Sequence, residues 1–319
     1  MTLRKLMVIG ATFALISCQN NLKKPEATTP ETPKQNFEIS LAQWSIHSKI
    51  HNGTIDPMDF ASIAKELGYT GLEYVSNLYV GEEVNYPMKE QGLDAVLTEL
   101  KRRSDSLGMT NVLIMVDDVG DLSVEDQALT AQAVENHKIW VDAAAFLGCR
   151  AIRVNLFGTS NPEAWVRSSV RSLTALSTYA ADKNIAILVE NHGGLSSDGK
   201  LLAQVMKEVA MDNCGTLVDF GNFCVRRENG ERWDGPCVQE YDRYQGIEEL
   251  MPYAQGVSAK SYAFDDEGNE TTMDFPRILN LVKDSGFSGF IGVEFEGEVA
   301  DPFPGMEATK SLIETVLIN

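Results

Sequence analysis

The chain has 319 residues, 44% hydrophobic and 23% charged, enough to bury the core of one large domain or two small ones. Its formal net charge of −19, from 46 acidic against 27 basic side chains, argues against a nucleic-acid partner, because affinity for phosphates comes from Lys and Arg. Five cysteines exclude a disulfide-built scaffold, and four histidines leave little room for a multi-zinc centre.

At the start, Arg4 and Lys5 precede an apolar run, Leu6–Ile16, that stops at Cys18. The run is too short to span a bilayer stably, and a basic start followed by a short apolar stretch is the pattern of an export signal. Leu15-Ile16-Ser17-Cys18 resembles the lipobox of bacterial lipoproteins. That resemblance implies a signal peptide over 1–17 and lipidation of Cys18. Residues 18–36, with Pro25, Pro30 and Pro33 among Thr, Asn and Lys, carry too little apolar surface to fold and read as a lipidated tether. The expected location is an exported, membrane-anchored lipoprotein facing the periplasm of a Gram-negative-type cell, touching the membrane only through its anchor. The oligomeric state is open.

From residue 37 to 319, short β-branched apolar runs alternate with longer helical patterns, the order expected of parallel strands joined by helical crossovers. The strands are predicted at Glu38–Ile46, Gly71–Ser76, Thr110–Val116, Ala151–Asn155, Ile185–Glu190, Gly215–Asp219, Gly256–Ser261 and Phe290–Glu294. Helices are predicted around 57–67, 90–107, 125–147, 162–183, 199–209, 241–251, 275–285 and 306–317. Eight such units point to an α/β fold with a single (β/α)8 TIM barrel. No GxGxxG follows the first strand, which weakens an open doubly wound sheet. Leu107-Gly108 and Leu147-Gly148 carry the glycine that turns a helix end back toward a strand. Cys224 and Cys237 bracket a polar loop that a disulfide could staple.

Side chains alternate across a strand, so residues two apart share a face. In the first strand Ile39 and Leu41 read as a core-filling set continued by Gln43, Ser45 and His47, with Trp44 on the opposite parity, against the helices. Other strands also turn polar at their C-terminal ends: Glu73, Asn155, Glu190, Asp219, Ser258 with Lys260, and Glu294 with Glu296. Barrel active sites are built at that end. Carboxylates at three strand tips, Glu190, Asp219 and Glu294, would repel one another without a compensating cation or shared protons. A divalent metal is the simplest remedy. Oxygen ligands favour Mn or Mg, with Ca possible, or Zn or Co if His192 is recruited.

The segments Leu41-Ala42-Gln43-Trp44-Ser45, Gly71-Leu72-Glu73-Tyr74-Val75, Val189-Glu190-Asn191-His192-Gly193-Gly194, Leu217-Val218-Asp219-Phe220-Gly221-Asn222, Ser258-Ala259-Lys260-Ser261 and Ile291-Gly292-Val293-Glu294 resemble, in this order, the xylose isomerase-like TIM barrel superfamily of sugar phosphate isomerases and epimerases. The resemblance implies metal ligands at Glu190, Asp219, Ser258 and Glu294. Ser258 departs from the pattern, standing where the family's His-x-Lys-Asp motif has its His, and a neutral hydroxyl is a poorer ligand. Either a three-carboxylate site persists, or Lys260 supplies the positive charge that a metal supplies elsewhere.

The chemistry so implied is proton abstraction next to a sugar carbonyl through an enediolate, with Glu190 and Glu294 as the acid–base pair. His47, Glu73, Asn155, His192 and Asn222 would hydrogen-bond the hydroxyls of a small-molecule sugar or glycoside, and Trp44 or Trp233 could offer a face to its ring. Asn222 could equally cap the following turn. Two alternatives stay open. The same enolate serves a 3-oxo-glycoside lyase, whose aglycone the loop Phe223–Gln239 would receive. A noncatalytic sugar-binding lipoprotein would need stacking faces more than a paired base set.

Overall fold

A computed structural model describes residues 35–80 and 87–318, so the expected signal peptide, Cys18 and most of the tether lie outside the described residues. The strands are β1 (Phe37–Ala42), β2 (Gly71–Val75), β3 (Thr110–Met115), β4 (Ala151–Val154), β5 (Ala186–Glu190), β6 (Cys214–Asp219), β7 (Cys224–Arg227), β8 (Cys237–Glu240), β9 (Ala254–Ser261) and β10 (Gly289–Phe295). Eight of them close a parallel barrel in the order β1-β10-β9-β6-β5-β4-β3-β2, while β7 and β8 form a separate antiparallel hairpin. The chain is therefore a (β/α)8 barrel with one hairpin inserted between its sixth and seventh strands.

The helices stand where the apolar periodicity puts them, at Phe60–Glu66, Leu93–Leu107, Gln127–Leu147, Pro162–Ala181, Gly199–Val209, Arg243–Leu250, Phe275–Asp284 and Phe303–Ile313. Several begin with an acceptor side chain over the free backbone N–H groups of the first turn: Asp126, Asn161, Asp198, Asp242 and Asp274 each accept from residues two or three further on. Gly108 and Gly148 end theirs in the left-handed conformation, which a residue without Cβ adopts without strain. Their buried faces pack Leu100, Val141, Leu173, Val205 and Ile278 onto the outside of the barrel.

The parity of the first strand is the reverse of that expected. Ser40 hydrogen-bonds Glu73 inside the barrel, so Ile39 and Leu41 face the helices. The large apolar layer lies outside the strands, and the narrow interior is polar toward the mouth. β1 also ends at Ala42, and Gln43–Ile46 forms a 3-10 turn that breaks the alternation. Gln43 turns away to donate to Tyr79 Oη at 2.8 Å and to accept from Val75 N at 3.1 Å. Ser45 Oγ accepts from Phe295 N at 3.0 Å, tying β1 to β10. Both are structural residues.

The barrel interior is tight at Gly292. A Cβ there would lie 2.5 Å from both carboxyl oxygens of Glu73. Gly292→Ala should lower stability by about 1–3 kcal/mol through overpacking. Thermal unfolding tests this, and an unchanged Tm would contradict it.

Candidate active site

Parallel register brings the polar strand ends level with one another. Glu294 pairs with Lys260 across β10 and β9, and Asp219 pairs with Ser258 across β6 and β9. Lys260 is 2% exposed, and its Nζ lies 3.2 Å from Glu294, 3.3 Å from Glu296 and 3.8 Å from Asp219. Burial works against its charge, but Asp219, Glu294 and Glu296 outweigh it and hold the ammonium well above its ordinary range. Ser258 Oγ lies within hydrogen-bonding distance of Asp219 Oδ2 and Glu294 Oε2, at 2.9 and 3.2 Å. Asp219 Oδ1 accepts from the backbone N–H groups of Gly221 and Asn222, each at 2.8 Å.

A second cation stands across the barrel. Arg153, in the middle of β4, directs Nη1 to Asp117 at 2.6 Å and places Nε 2.8 Å from Glu190 Oε2. Asn222 Nδ2 donates to the other Glu190 oxygen at 3.2 Å. Burial raises the carboxyls of Glu190, Asp219 and Glu294 above the usual carboxylate range, with Lys260 and Arg153 pulling the other way.

Asp117 also accepts from Asn155 Nδ2 at 2.7 Å, so Asn155 Oδ1 faces His192 Nδ1 at 2.8 Å. A carboxylate can only accept; the Asn155 amide must therefore donate to Asp117 and accept from His192. The imidazole then carries its proton on Nδ1 and has Nε2 as an acceptor. Burial first, then Arg153, Lys260 and Arg232, keep it neutral by lowering its pKa well below the ordinary value.

Above these groups lies a cavity of about 470 Å³. Glu294, Lys260, Asn155, His192 and Asn222 are on its wall. Glu190, Asp219 and Ser258 are packed behind it, and Glu73 is buried beneath Glu294. His47 lies under Trp44, with its ring stacked at 4.2 Å and its Nδ1 against the Trp44 carbonyl. It supports Trp44, which lines the cavity from the 3-10 turn that follows β1. Asp117, Arg153, Phe157, Tyr262 and Glu296 also line it. Of these, Arg153 had a legible signal: a charge two positions before Asn155 inside an apolar strand.

The donor set does not suit a divalent ion. Glu190 is held by Arg153, and both Asp219 oxygens are already engaged. Lys260 stands between Asp219 and Glu294, where the family pattern puts a metal. Among the described residues, no group of three His, Cys, Asp or Glu side chains is arranged to hold one. The Ser258 hydroxyl, implied as a ligand, instead bridges two carboxylates.

The profile of the xylose isomerase-like TIM barrel matches residues 61–316, most of the chain, and the protein belongs to that family. Solved structures share the fold at low identity. The 3-keto-D-glucoside 4-epimerase of E. coli superposes with a TM-score of 0.62 at 13% identity, covering 88% of this chain and all of that one. The IolI protein with a bound zinc atom gives 0.66 at 13%, with 88% and 100% covered. A sugar phosphate isomerase/epimerase of Parabacteroides distasonis gives 0.62 at 16%, with 90% and 96% covered. A shorter match, 32% identical over 75 residues, is to the C-glycoside deglycosidase alpha subunit of Arthrobacter globiformis, spanning 22% of this chain and 21% of that relative.

Glu73 yields a test of the interior electrostatics. Burial raises its carboxyl to about 7, against a stabilising hydrogen bond from Ser40, and its Oε2 has no hydrogen-bond partner among the described residues. A raised carboxyl pKa in the folded state stabilises the fold below the unfolded value near 4.5 and is lost as pH climbs through about 7. Full ionisation would cost roughly 3 kcal/mol. Glu73→Gln should therefore gain stability relative to the parent between pH 5 and pH 8, measured by denaturant unfolding. Parallel pH profiles would contradict the assignment.

Proposed function

We propose that this protein is a sugar isomerase or epimerase that removes a proton beside a carbonyl of a sugar or sugar derivative. The observation that carries this reading is Glu294 and Lys260, 3.2 Å apart on the cavity wall: a carboxylate of raised basicity beside a buried ammonium. Glu294 takes the C–H proton. Lys260 and Arg153 supply the positive charge against which an enediolate oxygen develops, in a site where burial strengthens each charge. The two-carboxylate pair becomes a single wall base in this reading, because Glu190 is packed behind Arg153 and positions it.

Three strands lie between β10 and β4 on either side of the eight-stranded ring, so the group after β4 and β5 faces Glu294 across the mouth. His192, with Nε2 as an acceptor, can receive a sugar hydroxyl from that side. Return of the proton from Glu294 to the neighbouring carbon would be isomerisation; epimerisation would need the enediolate carbon to take a proton on its opposite face from solvent, with Glu294 releasing to solvent the proton it took. A second reading, elimination from a 3-oxo-glycoside, uses the same base and is favoured by the similarity to the C-glycoside deglycosidase subunit over 75 residues. The buried base and cation set both apart from a passive sugar-binding protein.

The proposed setting is outside the cytoplasm, on a lipid anchor at Cys18. A disulfide between Cys224 and Cys237 supports it, since such bonds persist in oxidising compartments.

Incubation with ketoses and 3-oxo-glycosides in deuterated water should place deuterium on the carbon beside the carbonyl. Glu294→Gln should reduce that exchange by about 10²–10⁴-fold, the usual contribution of a positioned base. Lys260→Met should reduce it too. Full exchange in Glu294→Gln would rule Glu294 out as the base.

A further inference from the structure

The cavity is larger and differently furnished than one reacting sugar ring requires. A volume of about 470 Å³ is that of a site for a drug-sized ligand. Its floor holds the buried ions described above, whereas its rim is partly exposed and combines aromatic faces with charges. One side of the rim is built by the inserted hairpin, whose strands β7 and β8 are joined by the Cys224–Cys237 disulfide. The loop between them carries Arg232 and Trp233 over the ends of β4 and β5. The guanidinium carbon of Arg232 lies over Phe157, 3.8 Å from the ring centre, and its Nη2 is 3.4 Å from Asp121. Trp233 packs against His192 at 4.6 Å and meets Phe157 edge-on at 5.7 Å.

Gly193 makes this seat possible, because a Cβ there would come within 3.3 Å of the Trp233 ring, at a φ of +84° that disfavours any side chain. Nearly half of the Trp233 surface, 47%, stays exposed. Trp44 lines the facing side, because β1 and β5 are opposite in the barrel ring. Asp118 stands between the two at the rim, in left-handed backbone with φ 60°.

We propose that the hairpin builds a second subsite, which takes a further sugar ring attached to the reacting one, so that the substrate is a disaccharide-like glycoside. This rests on the sugar-processing reading of the floor and extends it outward. A pyranose has an apolar C–H face for Trp233 and a rim of hydroxyls for Asp118, Asp121 and Arg227. A flat aromatic aglycone would stack equally well on Trp233 but would displace water from those charged groups without offering them hydrogen bonds beyond the ones they already make to Asn77, Arg232 and Gly235, which is unfavourable.

Binding can be measured apart from turnover, using tryptophan fluorescence with unoxidised cellobiose, maltose, methyl glucoside and 4-nitrophenyl glucoside. At least one disaccharide should bind ten times or more tightly than methyl glucoside, and Trp233→Ala should erase most of that preference. Asp118→Asn, which keeps a residue tolerant of left-handed backbone, should weaken disaccharide binding more than methyl glucoside binding. Equal affinity for one and two rings, tighter binding of 4-nitrophenyl glucoside than of both disaccharides, or no binding of any probe would overturn the subsite. Deuterium exchange at the floor with no disaccharide preference would leave the enolate reading intact while removing this one; preference without exchange would do the reverse.

Discussion

A lysine ammonium buried at the end of a barrel strand is tolerable only among carboxylates. Lys260 has three within 3.8 Å, and they in turn have few other ways to stay charged in so enclosed a place. Removing one partner from such a buried set typically costs about 3–5 kcal/mol, because the charge left behind is no longer compensated. The geometry around Lys260 follows from this mutual dependence. Ser258 lies between Asp219 and Glu294, two backbone N–H groups hold Asp219, and Arg153 answers Glu190 and Asp117 on the far side. Burial first, and then the excess of acidic groups over cations, raises the carboxyls of Glu190 and Glu294 above their ordinary range.

This constraint explains why a site of family ancestry has a changed composition. Where the resemblance implies an imidazole beside three carboxylates, the chain has a hydroxyl. A hydroxyl can bridge two carboxylates by sharing its proton but adds neither charge nor a strong donor pair. In the proposed reading the positive charge comes from Lys260 and Arg153. Barrels keep their scaffold while the strand tips change, so membership in the family sets the architecture and leaves the chemistry to the residues at the mouth.

Much of this was legible before any coordinates. Alternation of apolar runs and helical patterns located all eight barrel strands to within a few residues, because each strand is buried on both faces and each helix on one. Polar strand ends marked the mouth, and Glu294, Lys260, Asn155, His192 and Asn222 do meet at the cavity. Parity failed at β1, where Ile39 and Leu41 read as the interior although in a barrel the thicker apolar layer is the one under the helices. Hence the alternation places Trp44 against the helices and His47 in the cavity, whereas Trp44 lines the cavity and His47 lies beneath it. Depth failed as well: spacing along a strand says that Glu190 points inward, but not that Arg153, from the neighbouring strand, stands in front of it. The contribution of the hairpin depends on a long-range approach of Trp233 to His192 and Gly193, which no local pattern contains.

The most direct test of cation-for-metal substitution at the mouth is the divalent metal content of the purified protein, determined by elemental mass spectrometry alongside deuterium exchange before and after exhaustive chelation. If Lys260 and Arg153 supply the charge, no ion should be present in stoichiometric amount and exchange should survive the chelator unchanged. One equivalent of Mn, Mg or Zn whose removal abolishes exchange, and whose return restores it, would contradict that assignment and make Lys260 a neighbour of a metal, not its replacement.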